Sequence, residues 1–446
     1  MLTATAAAEP RLDRLRAAAA SPVASDSVAF FRVAYGLVGV LVVVRMLAYG
    51  WVERLYLAPR NHLTFAGFGW VEPLPGAWMY VHVVGLGVAA AAIALGVRSR
   101  AATVVFVVSL AYLELIEATL YLNHYWFLLL AGVVVIVAPV HGRFSLDVHR
   151  GRRNPVSEVP RMIVWAFRAQ LGVVYVFAGL AKLNPDWLFN AQPLSLWFDD
   201  RTHLPVIGGL LGWTATAYLA SWAGAAFDLT VVAGLSHRRT RPFAYAAVVG
   251  FHTATGVLFQ IGVFPVVMIL GTLVFFAPDW PRRLGVRAPR SSRPMPAVRG
   301  SMLTLLGLFA VMQVLLPLRH YAEPGNVRWN EDGYYLAWRV MLSEKTGFGT
   351  FTVTDPETGR SWEVAPDVVL EDWQVAGAMI RPDLVHATAL LIEAEERDRL
   401  GHDVEVRAEV LVAMNGRPAR SMIDPTIDLT AVERGSGTDR FVLQLD

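Results

Sequence analysis

Between residues 29 and 318 the chain carries about nine apolar runs long enough to cross a bilayer, at roughly 29–50, 77–97, 101–122, 125–140, 161–182, 214–235, 243–259, 263–277 and 301–318. A chain with this many such runs has few folds open to it. In lipid every backbone N–H and C=O must be satisfied internally, so the runs have to be helices packed on one another. The seventh and eighth runs are short and share the Gln260-Ile-Gly-Val-Phe-Pro265 break, which suggests a helical hairpin. Residues are 55% hydrophobic and only 17% charged, too apolar a balance for a soluble protein of 446 residues. With no cysteine, thiolate catalysis, disulfides and cysteine-held metals are excluded.

Basic residues orient the runs. Arg11, Arg14 and Arg16 precede the first; Arg98 and Arg100 follow the second. Arg143, Arg150, Arg152 and Arg153 follow the fourth, and Arg238, Arg239 and Arg241 the sixth. Arg282, Arg283, Arg287, Arg290, Arg293 and Arg299 precede the ninth. These are alternate loops. The reading is a cytoplasmic tail over 1–28, a helical membrane domain over 29–320 and an extracytoplasmic domain over 321–446. That C-terminal part changes pattern. Residues 349–364 alternate around Asp355-Pro-Glu-Thr-Gly359 as a hairpin, 383–399 are helical, and 404–423 form a second hairpin around Asn415-Gly416. The expected fold class is a polytopic α-helical membrane protein with a small extracytoplasmic α+β domain. The aromatic loop 51–76 reads either as a lid over a lipid-soluble ligand or as an aromatic belt, and 185–213 as a second interfacial segment.

Chemistry concentrates in Phe177-Ala-Gly-Leu-Ala-Lys182-Leu-Asn-Pro-Asp-Trp187. Lys182 ends an apolar run, and Asn184-Pro185 stops the helix. A lysine there either snorkels to the interface or serves as a base, since desolvation penalises the charged form of an amine. Topology puts Asn123-His124 at the same membrane face. Arg32, Arg45, Glu114, Glu117, Arg168, Asp228 and His252 lie in the spans and should pair or line a cavity; ion pairs of Glu114 and Glu117 with Arg45 or Arg168 are the plainest expectation. His62, His124, His203 and His252 lack metal-ligand spacing, so no metal is expected. Nothing in the chain points to nucleic acid.

The segment ending in Lys182 resembles the active-site stretch of the vitamin K-dependent γ-glutamyl carboxylase family, in its bacterial-type form with an HTTM membrane domain. Leu122-Asn123-His124-Tyr125 is similar to that family's Asn-His pair. Phe251-His252 with Gln260-Ile-Gly-Val-Phe264 is similar to its Phe-His…Ile-Gly-Met-Phe helix pair. Ala277-Pro-Asp-Trp-Pro-Arg-Arg-Leu284, Leu316-Pro-Leu-Arg-His320 and Ile423-Asp-Pro-Thr-Ile-Asp428 extend the likeness in order along the chain. The resemblance implies a lyase that couples oxygenation of a quinol to carboxylation of glutamate. Reduced vitamin K or menaquinol would be the cofactor, with O2 and CO2 as co-substrates and a glutamate-containing peptide or protein as partner. It implies Lys182 as the base that deprotonates the quinol, with Asn123, His124 and His252 binding it. In animal members a second lysine precedes the catalytic one, where Ala181 stands here. A histidine thought to help the peptide glutamate corresponds to Ser343. These departures keep two alternatives open: quinol epoxidation without carboxylation, or a non-enzymatic HTTM protein that binds or processes a peptide.

Orientation is testable directly. Cysteines introduced at Ser145 and Thr358 of this cysteine-free chain should differ on intact cells, with an impermeant maleimide labelling Thr358→Cys only. Labelling of Ser145→Cys alone would invert the arrangement.

Overall fold

In the computed structural model, residues 11–287 and 300–445 are described; Arg290, Arg293, Arg299 and the first ten residues of the expected tail lie outside them. Among the described residues, six helices are long and apolar enough to span: Asp26–Ala48, Ala77–Leu95, Ser99–Ile116, Arg161–Ala181, Thr214–Ser236 and the helix running from Gly300. The other three expected runs are also helical, as Asn123–Val137, Arg241–Leu258 and Phe264–Gly271. Asn123–Val137 and Phe264–Phe275 are shorter apolar helices. At 1.5 Å per residue, helices of 12–15 residues rise only about 18–23 Å, less than a hydrocarbon core of about 30 Å. Among the described residues six helices thus count as candidate spans by length and composition, and the other three expected runs are present as helices outside that set.

The expected tail is partly built into the bundle. Strand β1 (Pro22–Ala24) pairs antiparallel with β2 (Glu158–Pro160). Asp26, fully buried at the start of its helix, accepts from Arg143 Nε at 2.8 Å and Arg282 Nη2 at 2.8 Å. A carboxylate suits a helix N-terminus, where the backbone dipole is positive. Two of the intramembrane arginines, Arg32 and Arg168, find carbonyls rather than acids. Arg168 donates to Val274, Phe275 and Phe276, and Arg32 to Ala94. Glu117 lies just past its helix in extended backbone, so it does not share a helical face with Glu114. Its carboxylate accepts from Gln374 Nε2 at 2.7 Å, Leu63 N at 3.2 Å and Thr119 Oγ1 at 2.7 Å. The expected ion pairs with Arg45 or Arg168 are not found among the described residues: peptide groups take Arg168, Gln374 and backbone N–H groups take Glu117, and Arg45 lies over the Tyr49 and Trp51 rings.

The C-terminal region is α+β. Its antiparallel sheet has the order β4–β3–β5–β6, from Ser361–Val364, Lys345–Thr354, Glu405–Met414 and Arg420–Ser421. The period of two buries Phe351 and Val353 beside Val406, Ala408, Val410 and Val412. The Pro382–Leu400 helix covers that face with Leu384, Val385 and Ile392. Leu63 and Ala118, from loops of the helical region, complete the same core. Asn61 donates to Val369 O, and Arg434 to Thr64 O. The loop 51–76 is thus a bracket between the two regions rather than a lid: none of its residues lines the cavity beside Lys182.

A second clasp lies on the other side of the interface. Asp186, 2% exposed, accepts from Arg328 Nη1 at 2.9 Å, from Asn415 Nδ2 at 2.9 Å and from both Arg417 Nη groups. Burial alone would raise its carboxyl pKa. The hydrogen bonds from Arg417 and Asn415 and the charge of Arg328 outweigh burial and hold the value below the ordinary aspartate one. A depressed carboxyl pKa contributes stability that is present above the unfolded value, near 3.9, and is lost as pH falls through the folded one. Asp186→Asn should cost about 1.5–3 kcal/mol at neutral pH and flatten the fall in melting temperature below about pH 4. Melting curves in detergent across pH check this; an unchanged acid limb would remove Asp186 as the titrating clasp.

Candidate active site

The Arg161–Ala181 helix buries Ile163, Phe167, Leu171, Val174, Tyr175 and Ala178, the three-and-four spacing of one helix face. It stops where the sequence demands. Asn184 caps the following Pro185–Asn190 helix, its Oδ1 accepting from Trp187 N at 3.1 Å, with Pro185 at the first turn. Lys182 is the C-cap between the two helices. Gly179 lets the Thr214–Ser236 helix approach: a Cβ there would lie 2.9 Å from Leu229 Cγ and 3.0 Å from its backbone N. That contact brings Asp228 to the lysine.

Lys182 does not snorkel. Its side chain is 7% exposed, and Nζ donates to Asp228 Oδ2 at 2.8 Å, with Asp228 6% exposed. Nζ stands 5.1 Å from the centroid of the Trp187 ring, within cation–π range. Trp187 is itself buried, its indole donating to Ser221 O at 2.7 Å, and is not an interfacial anchor. The pair opens into an apolar cavity of about 390 Å³. Phe227 and Phe251 stack on its wall at 4.3 Å, and Leu194, Trp197 and Phe198 close it from the 185–213 segment. Tyr175, His252 and Thr255 also line it. Tyr175 Oη and His252 Nε2 are 2.8 Å apart, and His252 Nδ1 is buried without a hydrogen-bond partner. An apolar volume of this size with two polar points suits a small aromatic ligand that carries hydroxyls.

Asn123 and His124 line a different space. A polar chamber of about 310 Å³ adjoins the cavity, and Ile261, Phe264, Val340 and Met341 line both. His124 is 5% exposed and is packed by Gly262, whose φ is +61°. A Cβ on Gly262 would meet His124 Nε2 at 3.3 Å, so only glycine suits both this backbone and this contact. Tyr121 Oη donates to Asn123 Oδ1 at 3.2 Å. The chamber is cationic: Arg328, Arg339, Lys345 and Arg381 face Glu331. Lys345 pairs with Glu331 at 2.7 Å and Arg328 with Asp186 at 2.9 Å, whereas Arg339 Nε is buried without a partner. Of the residues read from sequence, Lys182 and His252 therefore share the apolar cavity, and Asn123 and His124 share its polar neighbour. Ser343 also lines the chamber.

The HTTM domain matches residues 20–280, and the lumenal domain of vitamin K-dependent gamma-carboxylase matches residues 299–446. The chain belongs to the vitamin K-dependent gamma-carboxylase family. It is a multi-pass membrane protein of that family, with a C-terminal domain of the lumenal type. No solved structure matches the chain.

For this gamma-carboxylase family member, sequence reasoning missed three things. Asp228 was read as one of several intramembrane charges and not as the partner of Lys182. Tyr175 lies seven residues before Lys182, two helical turns, so it shares that helix face and was legible by spacing alone. The chamber arginines come from segments 140 or more residues beyond Lys182, and no local signal joins them to it.

Proposed function

We propose that this protein is a quinol-dependent glutamate carboxylase, with Lys182 as its base. The observation that carries this reading is the buried Lys182–Asp228 pair in an apolar cavity that adjoins a cationic chamber. When bound, reduced vitamin K or menaquinol supplies with O2 the strong oxygen base that removes a glutamate γ-proton, which CO2 then replaces. Lys182 Nζ, as the free amine, takes a proton from the ligand's hydroxyl. Asp228 Oδ2, 2.8 Å from Nζ, then faces the ammonium that the transfer creates. Asp228 thereby stabilises the charge that the transfer creates. His252 Nδ1 and Tyr175 hold the ligand's far side. Asn123 and His124 act from the chamber where it meets the cavity, at Ile261, Phe264, Val340 and Met341.

The chamber receives the substrate glutamate. Arg339, with its buried free Nε, is suited to a carboxylate. Epoxidation without carboxylation is the second reading, favoured by Ser343 at a chamber position where a histidine assists in animal relatives. In this proposal residues 29–320 form the catalytic membrane domain and 321–446 an extracytoplasmic domain. The N-terminus is then cytoplasmic, and cavity and chamber lie towards the outer face.

Lys182→Arg separates base from anchor. Arginine keeps the charge beside Asp228 but stays protonated at accessible pH. It should be as inactive as Lys182→Ala, whereas small amines should partly restore Lys182→Ala, more so at higher pH where more of the amine is free. Quinol epoxide formation in detergent reads all of these, and wild-type turnover in the arginine variant would end the assignment.

His124→Ala should insert and fold yet lose roughly tenfold to a hundredfold in turnover, as expected for a hydrogen bond to a charged group of about 1.5–3 kcal/mol. Unchanged turnover would take His124 out of the site.

A further inference from the structure

A crevice of about 340 Å³ lies apart from both spaces, where the segment after the last membrane helix meets the start of the Pro382–Leu400 helix. Glu323, Asp332, Asp383, His386 and Arg434 line it. His386 is 3% exposed, and its Nε2 is buried without a hydrogen-bond partner. The ring's hydrogen bonds go instead to the backbone of Leu429 and Val432, and burial lowers its pKa. A neutral imidazole that donates from its other nitrogen presents Nε2 as an acceptor. Asp383 Oδ1 is also buried without a hydrogen bond, with Arg381 Nε 3.9 Å away. Asp332 Oδ2 accepts from Thr438 N and Oγ1, at 3.2 and 2.6 Å. The cation here is committed elsewhere: Arg434 donates to Thr64 O. The crevice thus offers acceptors and negative charge, and its open valences call for a donor that carries positive charge.

We infer that this crevice binds the basic side chain, lysine or arginine, of the polypeptide whose glutamate enters the chamber. The inference rests on the proposed glutamate chemistry for its partner and on the crevice for its charge preference. Crevice and chamber are neighbours through one hydrogen-bonded link. Arg381 lines the chamber and donates to Tyr335 Oη, which donates to Asp383 Oδ2 at 2.8 Å. One extended peptide can therefore set a glutamate in the chamber and a basic residue in the crevice. The carboxylates favour lysine or arginine there, and an acidic residue would meet like charge.

The test is binding of fluorescent glutamate-containing peptides to the full chain in detergent, without quinol or CO2. In each peptide a single lysine sits at a different distance from the glutamate, on either side, and each is matched by a norleucine peptide. At the best spacing the lysine peptide should bind about tenfold tighter, the scale of a hydrogen bond to a charged partner. The gain should disappear in Glu323→Gln/Asp332→Asn. Asparagine keeps an acceptor for Thr438, and Glu323 is solvent-exposed, so this variant should fold, and its melting temperature checks that. Glu323→Gln alone should lose part of the gain. Equal affinity of lysine and norleucine peptides at every spacing overturns the inference, as does a gain that survives in the folded double variant. A protein that binds lysine peptides but incorporates no CO2 would refute the carboxylase reading and leave this one standing.

Discussion

Asp186 is the constraint on which the site depends. It is a buried carboxylate four residues beyond Lys182, and its partners Arg328, Asn415 and Arg417 all belong to the C-terminal region. A charge this buried is tolerated only when its oxygens are filled by donors. Those donors arrive only when the C-terminal region is seated over the end of the Arg161–Ala181 helix. Seating brings Val340 and Met341 against Ile261 and Phe264, and these four residues become the wall between cavity and chamber. The Glu117 cluster and Leu63 do the same at the far side of the interface. The two regions are thus held at two buried carboxylates with the chamber between them.

That wall runs through strained backbone. Glu331, Leu336, Trp338 and Met341 all take left-handed φ, between 53° and 61°. Each such non-glycine residue costs on the order of 1–3 kcal/mol and persists only where its surroundings over-determine it. Here Trp338 is fully buried, and Tyr334 Oη donates to Arg339 O at 2.9 Å. The segment is a held loop whose irregularity delivers Arg339, Val340 and Met341 to one place. No helix or strand would turn these three consecutive side chains towards a common space.

In the proposed function the two spaces divide the chemistry by polarity. A proton transfer that creates an ammonium is favoured where a carboxylate already waits and water is excluded. A carboxylate substrate is favoured where arginine and lysine outnumber acids. Keeping the first in an apolar cavity and the second in a polar chamber would let one protein meet both requirements in adjoining spaces.

By itself the sequence determined the membrane class, the two hairpins and the helix stop that leaves Lys182 at an end. Each is local, written in runs, caps and periods that need no distant partner. Asn184-Pro185 stops the helix whatever surrounds it. All nine expected runs are helical, but six of them are long and apolar enough to count as candidate spans, because apolar composition identifies a helix without saying whether its length crosses a bilayer. Only the tertiary structure decided that Lys182 meets Asp228, that His124 and Lys182 face different spaces, and that the 51–76 loop is a bracket. Those outcomes turn on which helices approach closely, at Gly179 and Leu229, and on which of several buried donors reaches a carboxylate first. Such choices depend on three-dimensional distance between residues tens to hundreds of positions apart, and spacing along the chain does not encode it.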